Sequence, residues 1–349
     1  MDYLDYPVIS MAISKYIYLE AERITEAKFN ISLPDINSYL EIPLINKELE
    51  YSSNRDYIRS AYNIFLRKGI KFYKGYKIKI TGDIPINAGV ASSSAMVIAW
   101  LSFLNIISGN SLNKYQIASE GYNTEVAEFG EAGGKMDFFT STYGNLIYLE
   151  SRENNPNVIE IPVKLEGFVL GNSLEKKETV EDLRRVKILS LEAFKRLREI
   201  IPTFDEFNTP LEEIKPFLQS LNKEHQEKIV GNIINRDITS EAKGLILKNR
   251  FRALVNSKKN ISFYKQLGNL LNKHEEQLKN MIKITTEKID NMISECIELG
   301  AYGAKINGSG FGGTMFALAP GKESIIKDAI EKLEGEAYLI NTSNGIEHY

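Results

Sequence analysis

The sequence predicts an α+β protein of about two domains. Three observations carry that reading. The chain is 349 residues long, with 43% hydrophobic and 26% charged residues, enough for a sizeable core. Its first half alternates short β-type runs with helical periods. Its second half holds a long helical stretch between strand-like segments.

In chain order, Met1–Tyr6 runs straight into Pro7–Ile13 with no strand before it. Tyr16–Ala21, Lys28–Leu33 and Tyr39–Ile42 alternate apolar and polar residues as half-buried strands do. Asp56–Lys68 places Ile58, Ala61, Tyr62 and Phe65 at helical spacing. Tyr76–Thr81 reads as a strand, followed by a loop and then an apolar helix reaching about Ser108. Asn113–Phe129 reads as one further helix, and Phe138–Ser141 begins another. Gly144–Glu150 and Gly167–Gly171 read as strands, the second buried. Between them the polar, turn-rich Ser151–Asn157 is the expected domain boundary, giving domains 1–155 and 156–349. Residues 178–300 read as mostly helical with solvated Lys/Glu faces. A strand, a glycine loop, a strand, a helix (323–333) and a last strand (336–341) close the chain.

Composition excludes several classes. A net charge of −3 with mixed signs leaves no basic footprint for nucleic acid and no patch for a membrane surface. The single cysteine, Cys296, rules out an intrachain disulfide and falls in a helical pattern that buries it. His225, His274 and His348 are scattered. No signal peptide or membrane-spanning run is visible, so the expected location is the cytoplasm.

The stretch that carries chemistry is P-I-N-A-G-V-A-S-S-S-A, residues 85–95. A strand, a loop of small residues and a helix start offer unpaired N–H groups and the positive end of a helix dipole to an anion. Serines at a helix start are more often simple caps. It is no Walker A loop, because no lysine follows the glycine at the required place. A second glycine loop, G-A-K-I-N-G-S-G-F-G-G, spans 303–313. So many glycines cost conformational entropy and suggest unusual dihedrals or a closely approaching ligand.

Both loops resemble motifs of the GHMP kinases (galacto-, homoserine, mevalonate and phosphomevalonate kinases). The first is similar to P-x-x-x-G-L-x-S-S-A/S-A. The second is similar to the galactokinase string G-A-R-M-T-G-A-G-F-G-G. A third string, G-G-K-M-D-F at 133–138, is similar to the galactokinase C-G-I-M-D-Q. The resemblance implies the GHMP kinase fold: a ribosomal protein S5 domain 2-like N-terminal domain and a ferredoxin-like C-terminal domain with helical insertions. It implies ATP and Mg²⁺ as cofactors. The nucleotide would be held by Asn87, Ala88, Gly89, Val90, Ala91, Ser92, Ser93 and Ser94. Asp137 would be the catalytic acid that orients or deprotonates the attacking hydroxyl. Ser93 would bind the metal together with the acid twelve residues before Asp137, which is Glu125; Glu128, one helical turn further on, is the fallback. Gly134, Gly308, Ser309, Gly310 and Asp2 would contact the substrate, and Lys135 would add positive charge nearby.

The first motif of the galactokinase-like members survives only as its tail, Asp2-Tyr3 and Pro7–Ile13. Two explanations stay open: a natural start upstream of Met1, or a truncated relative. The galactokinase S-x-Y-N-x-R-R segment is replaced by N-S-L-E-K-K-E-T-V-E-D-L-R-R, with Arg184-Arg185 as a remnant. His274 reads as a helix-packing residue. The function implied is ATP-dependent phosphorylation of a monosaccharide, at its anomeric hydroxyl, by a monomer or homodimer. The alternatives are a GHMP-fold ATP-dependent decarboxylase and an impaired sugar-binding regulator.

Overall fold

The computed structural model describes residues 2–109, 112–152, 155–175, 179–255 and 260–349. The chain folds as two compact units, both discontinuous in sequence. One comprises Met11–Ile86, Ala91–Asn145 and Ser343–Tyr349; the other comprises Met1–Ser10, Asn87–Val90 and Leu146–Thr342.

The unit that begins at Met11 is built on a four-stranded sheet. Its strands are β2 (Ile17–Ile24), β3 (Lys28–Leu33), β4 (Ser38–Pro43) and β5 (Gly75–Gly82), in the order β2-β5-β3-β4. β3 and β5 run parallel, with Phe29 opposite Tyr76 and Ile31 opposite Ile78. The alternation read from the sequence has its physical outcome here. Phe29, Ile31, Ile42, Ile78 and Ile80 are buried on one face. On the other, Glu20 faces Lys79 and Glu22 faces Lys77 in the β2–β5 register.

Helices α1 (Tyr57–Arg67), α2 (Ser92–Ser108), α3 (Lys114–Tyr122) and α4 (Met136–Tyr143) complete this unit. Asp56 caps α1 by accepting from Arg59 N–H. Trp100 pins α2 into the core: its indole N–H donates to Ile58 O at 3.1 Å and its ring stacks on Phe103. Phe29 meets Trp100 edge-on at 5.7 Å.

The other unit holds a four-stranded antiparallel sheet. Its strands are β8 (Phe168–Asn172), β9 (Gly303–Ile306), β10 (Thr314–Leu318) and β11 (Glu336–Ile340), in the order β11-β8-β10-β9. This fourth-first-third-second order is the ferredoxin-like arrangement, as expected. The insertion between β8 and β9 carries α5 (Thr179–Ile200), α6 (Leu211–Leu218), α7 (Lys223–Val255), α8 (Ile261–Gln277) and α9 (Glu287–Glu298); α10 (Glu323–Lys332) follows β10. Cys296 is buried in the core between α9, α10 and the sheet.

α8 covers the free edge of β9. Asn272 Oδ1 accepts from Ala304 N–H and Glu275 Oε2 from Ile306 N–H. That closes an edge otherwise open to pairing. The approach is tight: a Cβ on Gly268 would lie 2.4 Å from the Tyr302 backbone.

Two stretches differ in the structure from their reading in sequence. The polar, turn-like segment 151–157 joins two paired strands. β6 (Leu146–Glu150) and β7 (Asn157–Ile161) pair antiparallel across it, Leu146 opposite Ile161, and with β1 (Val8–Met11) form a three-stranded sheet. The segment is therefore a hairpin turn inside one unit; residues 153 and 154 lie outside the described residues. The expected division at 155/156 gives way to chain crossings near 10, 86, 90, 145 and 342. The helix expected over 113–129 also changes character. α3 ends at Tyr122 and widens into a π-helical turn, Asn123–Ala127.

Candidate functional site

α2 begins without a side-chain cap. Its N-cap residue is Ala91, in the left-handed region at φ +58°. The three serines are therefore the first helical residues rather than caps. The first α-type bond is Ala95 N–H to Ala91 O at 3.0 Å. No side chain caps the N–H groups at the start of α2, and the dipole adds positive potential there. Gly89 takes φ +80° and Asn87 φ +57° on the way in.

Ser93 points its hydroxyl at an acid. Its Oγ donates to Glu125 Oε1 at 2.7 Å. Glu125 lies in the π-helical turn and is buried; its second oxygen, Oε2, makes no hydrogen bond. Burial pushes the Glu125 carboxyl up to about 7. The nearby Ser93 and Ser94 hydroxyls pull the other way, and the charges of Asp137 and Glu131 push further up. A π turn inside a helix frequently marks a functional position. Here it is held from outside, because Ser60 on α1 donates its hydroxyl to Thr124 O at 2.8 Å.

Two glycines set the fit. A Cβ on Gly121, one turn before Glu125, would fall 2.7 Å from Ile98 of α2 and 2.9 Å from Phe138 of α4. A Cβ on Gly133 would press on Val126 at 3.1 Å. Three helices thus close on one point, carrying Ser93, Glu125 and Asp137. Asp137 stands half-buried in the first turn of α4 and close enough to Glu125 to raise its pKa. Gly134 precedes that helix, and Lys135 is its N-cap residue, with Nζ 5.6 Å above the Tyr122 ring.

The fallback acid is engaged elsewhere. Glu128 is bound in a two-point pair by Arg67, at 2.7 and 2.9 Å, which holds its carboxyl below the usual range. Glu131 is likewise engaged, by Arg55 at 2.6 Å and by the Tyr57 hydroxyl at 3.3 Å. The buried, unbonded oxygen of Glu125 beside a serine hydroxyl fits a hard divalent cation such as Mg²⁺. Among the described residues no group of three or more His, Cys, Asp or Glu is arranged for a metal. A Ser–Glu pair therefore leaves most of the ion's positions to other oxygen ligands.

The unit holding Asn87–Val90 also holds the second glycine loop. Five of the six residues from Gly308 to Gly313 have positive φ, including Phe311 at +57°. Part of the glycine content answers to the protein itself: a Cβ on Gly310 would sit 2.5 Å from Ile284 O. Phe311 N–H donates to that carbonyl at 2.6 Å, and Ser173 donates to Gly313 O through both N–H and Oγ at 2.8 Å. Asp2 begins a short 3-10 turn (Asp2–Leu4) in the same unit. Arg184 and Arg185 are exposed on α5, and His274 lies on α8 with its ring nitrogen Nε2 buried and its pKa held low by burial. Sequence reasoning missed Ser60, Gly121 and Asn307. A small residue inside a helical period was the only signal available for the first two.

Residues 56–145 match the family model for the GHMP kinases N terminal domain, and residues 254–335 match the model GHMP kinases C terminal. The chain belongs to the GHMP kinase superfamily. It is 28% identical to the mevalonate kinase of Pyrococcus furiosus over 97% of this chain and 90% of that one. It is 26% identical to the galactokinase of Thermotoga maritima, over 91% and 85% of the two chains. Its fold is similar to that of Lactococcus lactis galactokinase solved with galactose, at a TM-score of 0.83 and 18% identity over 99% of this chain and 90% of that one. GHMP family kinases are ATP-dependent phosphotransferases.

Proposed function

We propose that the chain transfers the γ-phosphoryl group of ATP to a hydroxyl of a small metabolite, a monosaccharide first among them. The observation that carries this is the Ser93–Glu125 pair at the uncapped start of α2. An anion-attracting helix start stands beside a buried carboxylate with one oxygen outside any hydrogen bond. That combination suits a nucleotide phosphate bound with its metal.

Phosphoryl transfer needs positioning and charge neutralisation more than covalent help. Asn87 to Ser94 hold the phosphates through backbone N–H groups and hydroxyls. Ser93 and Glu125 hold Mg²⁺, which supplies charge neutralisation when bound. Asp137 accepts or orients the hydroxyl proton of the acceptor. By the family resemblance, Gly134, Gly308, Ser309, Gly310 and Asp2 are the residues assigned to the acceptor. The sugar reading is supported by the M-D string at 136–137 and the G-S-G-F-G-G loop. A second reading, a mevalonate-type hydroxy acid as acceptor, is favoured by the identity to archaeal mevalonate kinases.

The test is ATP consumption by the purified protein against hexoses, uronic acids, heptoses, N-acetylhexosamines and mevalonate. ATP loss that depends on a sugar is expected. Turnover with mevalonate alone replaces the first reading by the second. CO₂ release marks a decarboxylase, and binding without turnover marks a regulator; either overturns the kinase.

A further inference from the structure

We propose that Asn307 is a positioning residue for the nucleotide phosphates, acting through the backbone of the phosphate loop. The inference rests on the reading that residues 87–94 hold a nucleotide.

Asn307 directly follows β9, at the neck of the second glycine loop. Its backbone N–H donates to Thr314 O at 2.9 Å and closes that neck. Its side-chain amide donates to Gly89 O at 3.0 Å, with a longer contact to Thr314 Oγ1 at 3.4 Å. Gly89 lies 218 residues away in sequence.

The phosphate loop has reason to need this hold. Asn87 and Ala91 sit in the left-handed region, which asparagine tolerates but which costs an alanine roughly 1 kcal/mol or more. A backbone of that kind persists only where its surroundings fix it. The Asn307 amide is one such fixture, and it grips the carbonyl at the loop's centre. In a trans peptide the C=O and the following N–H point in opposite directions. Holding Gly89 C=O therefore aims Val90 N–H the opposite way, and Val90 is one of the assigned phosphate contacts.

The anchor behind Asn307 is rigid. Phe311 is tied to Ile284 and Gly313 to Ser173, and Gly310 is packed against Ile284. Asparagine suits the position because its amide donates to a carbonyl. Aspartate in its place would set a second acceptor against Gly89 O, and alanine would leave that carbonyl unheld.

The experiment is calorimetric titration of MgADP and a non-hydrolysable MgATP analogue into wild type, Asn307→Ala and Thr314→Val, with steady-state KM values for ATP and acceptor. Asn307→Ala should weaken nucleotide binding by about 2- to 13-fold, the worth of one orienting hydrogen bond, and leave the acceptor KM unchanged. Thr314→Val removes the other side-chain contact and should bind nucleotide as wild type does. If Asn307→Ala does not fold, Asn307→Ser, too short to reach Gly89, carries the same expectation. Wild-type affinity in the Asn307 variants overturns the inference. So does an equal loss in Thr314→Val, which would assign the effect to the hairpin. A wild-type protein that binds neither nucleotide overturns the kinase reading as well, so the two failures are told apart.

Discussion

The Ser93 hydroxyl donates to Glu125 Oε1 at 2.7 Å, while the other oxygen of the same carboxylate is buried without a hydrogen bond. That asymmetry makes Glu125 an acid whose charge is costly until a cation arrives. Its carboxyl, pushed from 4.5 up to about 7 by burial, binds a proton more tightly in the folded state than in the unfolded one. Stability from this group is therefore greatest below pH 4.5, falls as pH rises towards 7, and stays low above it. Glu125→Gln should raise the melting temperature of the metal-free protein at pH 8 and leave it unchanged at pH 4. It should also abolish Mg²⁺-dependent turnover. Equal melting temperatures of variant and wild type at pH 8 would refute the assignment.

Asp137 stands in the first turn of α4, close enough to Glu125 to raise its pKa. Asp137→Asn keeps the shape and removes the proton acceptor. Turnover should fall by roughly 10²- to 10⁴-fold, with MgADP affinity retained in a direct titration. Unchanged turnover would remove Asp137 from the chemistry.

Gly121 is where α3 meets α2 and α4. Gly121→Ala gains about 1 kcal/mol of helix propensity and incurs about 1–3 kcal/mol of overpacking against Ile98 and Phe138. Net destabilisation is expected in urea unfolding, with a raised Mg²⁺ requirement because the turn carrying Glu125 is displaced. A more stable variant with wild-type Mg²⁺ dependence would show that the contact is not constraining.

Gly310 separates two explanations of the second glycine loop. Its φ of +82° and the 2.5 Å approach of a built Cβ to Ile284 O both belong to the protein. Gly310→Ala should therefore lower stability by about 1–3 kcal/mol even with no ligand present. Loss of ligand affinity at unchanged melting temperature would point instead to a glycine kept for close ligand approach.

Much of the fold was legible in the sequence. The strands of the first four-stranded sheet follow from alternation and α1 from helical spacing, because burial of one face leaves a period in the chain; β8 and α2 follow from apolar runs, because both are buried or half-buried along most of their length. The π turn was not legible. It depends on Ser60 taking the Thr124 carbonyl from another helix, and no local pattern records that. The hairpin at 151–157 reads as a domain boundary in sequence because tight turns and boundaries share a polar composition; the pairing of Leu146 with Ile161 shows the turn.

The sequence by itself determined the serine-rich loop before α2, the second glycine loop and the spacing of Glu125 from Asp137, since each is a run of residue types along the chain. Tertiary structure decided which acid is available. Glu125 and Glu128 lie one turn apart and look alike in sequence. Arg67, from a different helix, occupies Glu128 with two hydrogen bonds, while burial leaves Glu125 with one oxygen unbonded. A carboxylate's partners come from wherever the fold brings a guanidinium or a hydroxyl, and that is settled by packing rather than by position in the chain.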